Sequence, residues 1–152
     1  MSDNTNLEAS LDRLIAWYGE GANGSAPTRE QWSALLQRPQ DRPITLINFF
    51  KMRSEAIYPT SDQQKTTSGE EAFARYAEVS VPTVEKVGGK FLLLAPFEFA
   101  FMGPTEDWDL VAIGSYPNVA ALLALLEDAD YRTAYPHRSA ALARQKVIAC
   151  AS

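Results

Sequence analysis

Residues 108–142 read WDLVAIGSYPNVAALLALLEDADYRTAYPHRSAAL, and this stretch decides the fold. Trp108 to Tyr116 is apolar and β-prone and reads as a half-buried strand. Pro117 interrupts it, Asn118 offers a capping side chain, and an apolar helix follows through Leu126. Tyr131 to Tyr135 read as a transition, Pro136 as the start of a last helical turn, and Lys146 to Ala149 as a final strand. A break at Pro136 would deliver an aromatic ring, the single histidine (His137) and the guanidinium of Arg138 together at the edge of a core.

Working upstream, Lys90 to Gly103 is rich in Phe and Leu and reads as a long strand, turned by Pro104–Asp107 into the Trp108 strand as a β-hairpin. Before it, Ser68 and Glu71 have the spacing of a capping box. The helix they open carries Phe73, Tyr76, Ala77, Ser80, Val84 and Val87 along one face, with a kink expected at Pro82 and a stop at Gly88–Gly89. Residues 59–68 are polar and read as a mobile loop able to act as a lid. Ile44 to Arg53, ITLINFFKMR, is apolar on both alternating faces and reads as a central strand covered on both sides. The order after residue 42 is therefore β-α-β-β-α-β, an α+β ferredoxin-like arrangement with an antiparallel sheet.

Residues 1–41 stand apart as an N-terminal helical extension, and residues 42–152 form the ferredoxin-like domain. Asn6 can cap a first helix with Leu7, Leu11, Leu14, Ile15 and Tyr18 at helical spacing, ended by Gly19, Gly21 and Gly24. Thr28 and Gln31 make a capping box for a second, short helix carrying Trp32, Leu35 and Leu36. The whole chain, 152 residues with 46% hydrophobic and 22% charged side chains, has ordinary globular composition. A net charge of −5 with no Lys/Arg cluster gives no support to nucleic-acid binding. The lone cysteine, Cys150, excludes an internal disulfide and a Cys-rich zinc site. No secretory signal and no membrane-spanning run stand out, so a cytoplasmic location and no membrane partner are expected.

The strand ending in SYP, the helix after it, Tyr131 and the HRSAAL run, taken in this order, resemble a ferredoxin-like family known as a domain of unknown function, number thirteen-thirty, within the dimeric α+β barrel superfamily. The INFFKMR strand, the SGEEAFARY helix start, the GGK turn and the WD strand start extend the resemblance over about residues 42–150. It implies a homodimer whose sheets face each other and a small-molecule pocket between sheet and helices. The superfamily includes cofactor-independent monooxygenases, isomerases and haem proteins, so the fold fixes no activity.

His137 is the one side chain whose ordinary pKa lies near neutrality, the natural general acid/base. Arg138 can grip a carboxylate or enolate through a bidentate fork. The alternative is that His137 caps a helix end and Arg138 pairs with a surface acid. Asn48 interrupts an apolar strand and must find hydrogen bonds, from a ligand or from a neighbouring loop. Tyr76 shares a helix face with Phe73, and its hydroxyl can reach a pocket that Tyr131 and Tyr135 would wall. Trp108 either packs or stacks on a substrate, and Asp109 can orient Arg138. Glu98 is an exposed edge position or a buried base. The Phe49, Phe50, Phe91, Phe97, Phe99 and Phe101 set suits core and dimer interface.

No phosphate loop, nucleophile elbow or metal-ligand spacing occurs, so neither a metal nor a cofactor is expected. Three readings follow. One is a cofactor-independent enzyme acting on a small anionic or carbonyl compound, with His137 moving a proton and Arg138 holding charge. Another is a non-catalytic ligand-binding or structural homodimer. The last is a haem protein ligated through His137.

Overall fold

In the computed structural model, which describes residues 2–59 and 67–152, the sheet assembles around one strand. That strand, β1 (Ile44–Met52), pairs antiparallel on one side with β3 (Leu110–Tyr116) and on the other with β4 (Leu142–Ala151). The first strand of the hairpin, β2 (Lys90–Pro96), pairs antiparallel with β3, so the order across the sheet is β2-β3-β1-β4. The long helix α3 (Gly69–Lys86) follows β1, and two helices, α4 (Val119–Glu127) and α5 (Ala129–Ala141), follow β3. This is the ferredoxin-like order, an α+β fold with an antiparallel sheet.

Alternation along β1 divides the two faces of the sheet. Ile44 and Phe50 are buried, and Leu46 and Asn48 line a cavity beneath the helices. Ile47 and Phe49 therefore point to the opposite face. The helix layer holds because α3 and α5 pack on each other, and because Ile44, Val84, Tyr116, Val119, Leu122 and Tyr131 form one buried cluster.

The N-terminal helices α1 (Ser2–Tyr18) and α2 (Arg29–Gln37) make a second cluster from Leu11, Leu14 and Trp32, with Leu123 and Leu126 of α4 packed against it. Tyr18 ties α1 to the domain by donating to the Leu126 carbonyl at 2.5 Å. That bond satisfies an acceptor at the end of α4 that has no helical partner.

Local capping chemistry places most of the helix starts. Thr28 and Gln31 form the reciprocal capping box, Ser68 accepts from the Glu71 amide, and Asn118 accepts from the Ala121 amide at 2.8 Å. Other boundaries differ from expectation. α1 begins at Ser2, which puts Asn6 inside the helix instead of at its cap. β2 stops at Pro96, well before Gly103, since proline cannot extend the ladder and residues 97–109 form an irregular excursion. β3 begins at Leu110, two positions after Trp108.

The residues read as a transition before Pro136 belong to a continuous α5, capped by Asp128, whose side chain accepts from the Tyr131 amide at 2.9 Å. Pro136 removes one helical hydrogen bond, and the packing of α5 on α3 holds the helix through it. α3 likewise runs unbroken past Pro82. β4 spans Leu142–Ala151, longer at both ends than expected. Most of the 59–68 loop lies outside the described residues.

Gly69 stands where β1, α3 and α5 converge. Its amide donates to the Arg53 carbonyl at 3.1 Å, while the Arg53 amide donates to Ala141 at 2.7 Å. A Cβ at position 69 would lie 2.1 Å from the Arg53 carbonyl oxygen, a distance only backbone movement could relieve. Gly69→Ala should therefore cost about 3 kcal/mol of unfolding free energy or more by urea denaturation. At Gly24 a Cβ would meet nothing within 4 Å, although φ is +83°. Gly24→Ala should cost about 1 kcal/mol, from the left-handed backbone alone.

Candidate functional site

Tyr131, Tyr135 and Arg138 recur at i, i+4 and i+7 on α5, so all three project from one face of the helix toward the sheet. Phe73, Tyr76 and Ser80 do the same from α3. Between these helices and the inner face of the sheet is a cavity of about 850 Å³. Asn48, Tyr76, Tyr131, Tyr135 and Arg138 all line it.

Arg138 is the electrostatic centre of the cavity. It is 7% exposed, and its guanidinium lies 5.1 Å from the Phe50 ring centre and 5.2 Å from that of Tyr135. One N–H donates to the Tyr135 hydroxyl at 2.8 Å. Among the described residues no carboxylate forms an ion pair with it. Nor do the phenols supply negative charge. Tyr76 and Tyr131 share a hydrogen bond at 2.8 Å, and burial pushes both above the ordinary tyrosine range. A full positive charge thus stands in an aromatic cavity with neutral company.

Asn48 donates to the Ala112 carbonyl at 3.0 Å and more distantly to Leu46, anchoring its amide nitrogen to the sheet. Its amide oxygen has no partner among the described residues, which leaves one acceptor on the cavity floor. Tyr135 stacks edge-on against Tyr18 of α1, with ring centres 4.8 Å apart. The N-terminal segment therefore braces the residue that holds Arg138.

The remaining two sequence candidates are elsewhere. His137 follows Arg138 on an unbroken helix, so it points about 100° away from it. It sits in a shallow outer groove between α3 and α5, beside Arg75, Glu78, Thr83 and Asp130. Its Nδ1 faces the Tyr58 hydroxyl at 2.7 Å. Trp108 is buried on the other face of the sheet, with Phe49 at 5.7 Å and the Arg144 guanidinium stacked 4.2 Å above its ring. Asp109 accepts from the Met52 amide and pairs with Lys51, not with Arg138. Glu98 is exposed.

The cavity also uses residues the sequence did not flag as functional. Phe50 and Phe73 pack 5.1 Å apart beside Arg138, and Tyr18, Gln145, Val147 and Ala149 form another part of the wall. The i, i+4, i+7 spacing of Tyr131, Tyr135 and Arg138 was the available signal, hidden by the assumption of a break at Pro136. Gln145, Val147 and Ala149 alternate along β4, but only its register with Phe50, Asn48 and Leu46 turns them inward.

Burial, with the nearby Arg75 charge, holds the His137 imidazole below its ordinary value of 6.5. In the neutral tautomer that carries its proton on Nε2, His137 accepts the Tyr58 O–H, and protonation removes that acceptor. With the folded pKa depressed, the unfolded chain binds more protons as pH falls below 6.5. Stability is therefore present above that pH and is lost as pH drops through the folded pKa. The imidazole resonance of the single histidine should titrate below 6.5 by NMR. His137→Gln should flatten the stability profile over that interval. Titration at or above 6.5 would refute the assignment.

The family model of a domain of unknown function, DUF1330, matches residues 63–151, beginning after β1. The crystal structure of methylated RPA0582 protein is 35% identical, with a TM-score of 0.75, over 83% of this chain and 92% of that chain. A second structure of RPA0582, described as a protein of unknown function from Rhodopseudomonas palustris, is 35% identical with a TM-score of 0.74, covering 83% and 94%. A dimeric protein of unknown function and ferredoxin-like fold from Bacteroides fragilis is 12% identical, with a TM-score of 0.43, covering 75% of this chain and 100% of that one. No curated protein sequence matches the chain. With the family model matching more than half of its residues, the chain belongs to the DUF1330 family.

Proposed function

We propose that this protein binds a small anionic organic molecule between its sheet and helices, with Arg138 receiving the negative charge. The observation that carries this reading is a buried guanidinium that meets phenol hydroxyls and ring faces but, among the described residues, no carboxylate, lining a cavity of about 850 Å³. Burying a charge without a counter-charge costs several kcal/mol, and an anionic ligand would offset that cost. The volume falls in the range of small-molecule sites, and the mostly aromatic and aliphatic walls with a few polar groups suit such a ligand. Asn48 would hold a ligand N–H or O–H, and the Tyr76–Tyr131 pair would orient it by contact. His137 projects outside this cavity, so the binding reading does not depend on acid/base chemistry by the imidazole.

The proposal separates Arg138 from a structural arginine. Arg138→Met keeps the side-chain volume and removes the unpaired charge, so the empty protein should be at least as stable as wild type. In a thermal-shift screen of organic acids, ligands that stabilise wild type should lose that effect in Arg138→Met. A destabilisation of about 3 kcal/mol or more, with ligand shifts intact, would show that Arg138 serves the fold and sink the reading.

We also propose that the outer sheet face is covered by a second copy of the chain. Across that face Leu93, Ile113, Ile47 and Ile148 align in register over all four strands. Leu93 is 45% and Ile148 42% exposed. A flat apolar row of this kind is self-complementary about a two-fold axis, and isologous interfaces are the commonest. Light scattering should return twice the mass of one chain at micromolar concentration. Ile47→Glu should shift it to monomer, whereas a wild-type monomer would end the proposal.

A further inference from the structure

β4 is an edge strand, and its inward side chains are not sealed by helix packing. Val147 is opposite Asn48 in register and so faces the helix layer, yet it is 45% exposed. The nearest cover is the turn after α1 together with α2. Gly24, Ala26, Pro27 and Leu35 line the same cavity as Arg138, across from Val147 and Ala149. Among the described residues one polar link spans this gap, from the Gln145 amide nitrogen to the Ser25 carbonyl at 3.4 Å. The gap is therefore an opening, with small and aliphatic side chains on both sides. Deep inside it stands the buried guanidinium of Arg138, while the other cations that line the cavity, Arg38 and Lys146, are half-buried.

From this we infer that the ligand is amphipathic: a carboxylate carried on an extended apolar body, its head on Arg138 and its body lying between β4 and the N-terminal segment. The inference rests on the binding reading above and adds the ligand's class and the role of residues 24–35. A carboxylate head fills a small part of about 850 Å³, and Val147, Ala149, Ala26, Pro27 and Leu35 offer an unattached apolar group nothing but contact. The bidentate fork of a guanidinium matches a planar carboxylate. The N-terminal segment thereby sets the length of body the site accepts, although it lies outside the residues matched by the family model.

The test is calorimetric titration of the full chain with straight-chain carboxylates from butanoate to dodecanoate, beside the alcohols of the same length. Affinity should rise about four-fold per methylene, the equivalent of roughly 0.8 kcal/mol, until the chain fills the space. The alcohols should bind about ten-fold more weakly or worse, and Arg138→Met should reduce the carboxylates to the level of the alcohols. Val147→Trp, which fills the opening from β4, should weaken decanoate about ten-fold or more and butanoate by a much smaller factor. Ala26→Phe narrows the opening from the other wall and gives the same readout if the Val147 variant fails to fold.

Equal affinities for butanoate and dodecanoate, with dependence on Arg138 intact, would overturn the apolar body while the anion site stands. Length-dependent binding that neither wall variant alters would overturn the assignment of the opening. Failure of every carboxylate to bind would overturn both this inference and the reading beneath it.

Discussion

The continuity of α5 through Pro136 governs what the site can be. On an intact helix, successive side chains diverge by about 100°, so His137 and Arg138 cannot enter the same space. One must turn to the sheet and the other away from it. Tyr131, Tyr135 and Arg138 share the inward face, which commits the guanidinium to the cavity and the imidazole to the outer groove. Pro136 forfeits one backbone bond, yet the helix is held at both ends. Asp128 caps its start, and its last residues are bonded to the chain leaving β1 through Ala141 and Arg53. Packing on α3 does the rest.

Once Arg138 is inside, its surroundings become an energetic problem. A buried guanidinium is ordinarily matched by a carboxylate, and here the matching groups are hydroxyls and ring faces. Cation–π contacts at 5.1 to 5.9 Å soften the desolvation without neutralising the charge. The Tyr76 and Tyr131 hydroxyls share a hydrogen bond, and the guanidinium meets the phenols of Tyr135 and Tyr76, both neutral acceptors. Residual N–H donors in an aromatic cavity are what an anion would satisfy.

Much of the architecture was legible because its signals are local. Thr28 with Gln31, Ser68 with Glu71, and Asn118 each announce a helix start through a hydrogen bond spanning three residues. The β-branched and aromatic run in β1 marked the central strand. Misread segments are those where a distant contact overrules the local pattern. Residues 97–103 continue the Phe alternation of β2, yet the ladder has closed at Pro96 with nothing further to pair. Pro136 looks like a break until α3 is placed against it. For the site, Tyr76, Tyr131, Tyr135, Arg138 and Asn48 were all named from sequence, and the structure brings them to one cavity. His137 was named from a helix break expected at Pro136 within the segment that resembles the family, and Trp108 from a strand expected to start there. Each went elsewhere because its direction is set by where a strand begins or a helix continues.

The two proposed roles are divided by the period-two alternation of β1. Leu46, Asn48 and Phe50 face the cavity, while Ile47 and Phe49 face the row that a second copy would cover. Lys51 pairs with Asp107 and Asp109, and Lys146 with Glu106, so the lysines flanking the apolar row are matched by carboxylates. The proposed ligand binding and self-association would therefore use different side chains of the same strand. A polar substitution at Ile47 loads one surface, and a substitution at Asn48 loads the other. Coupling between them would have to pass through the backbone register that β3 and β4 already fix from both sides.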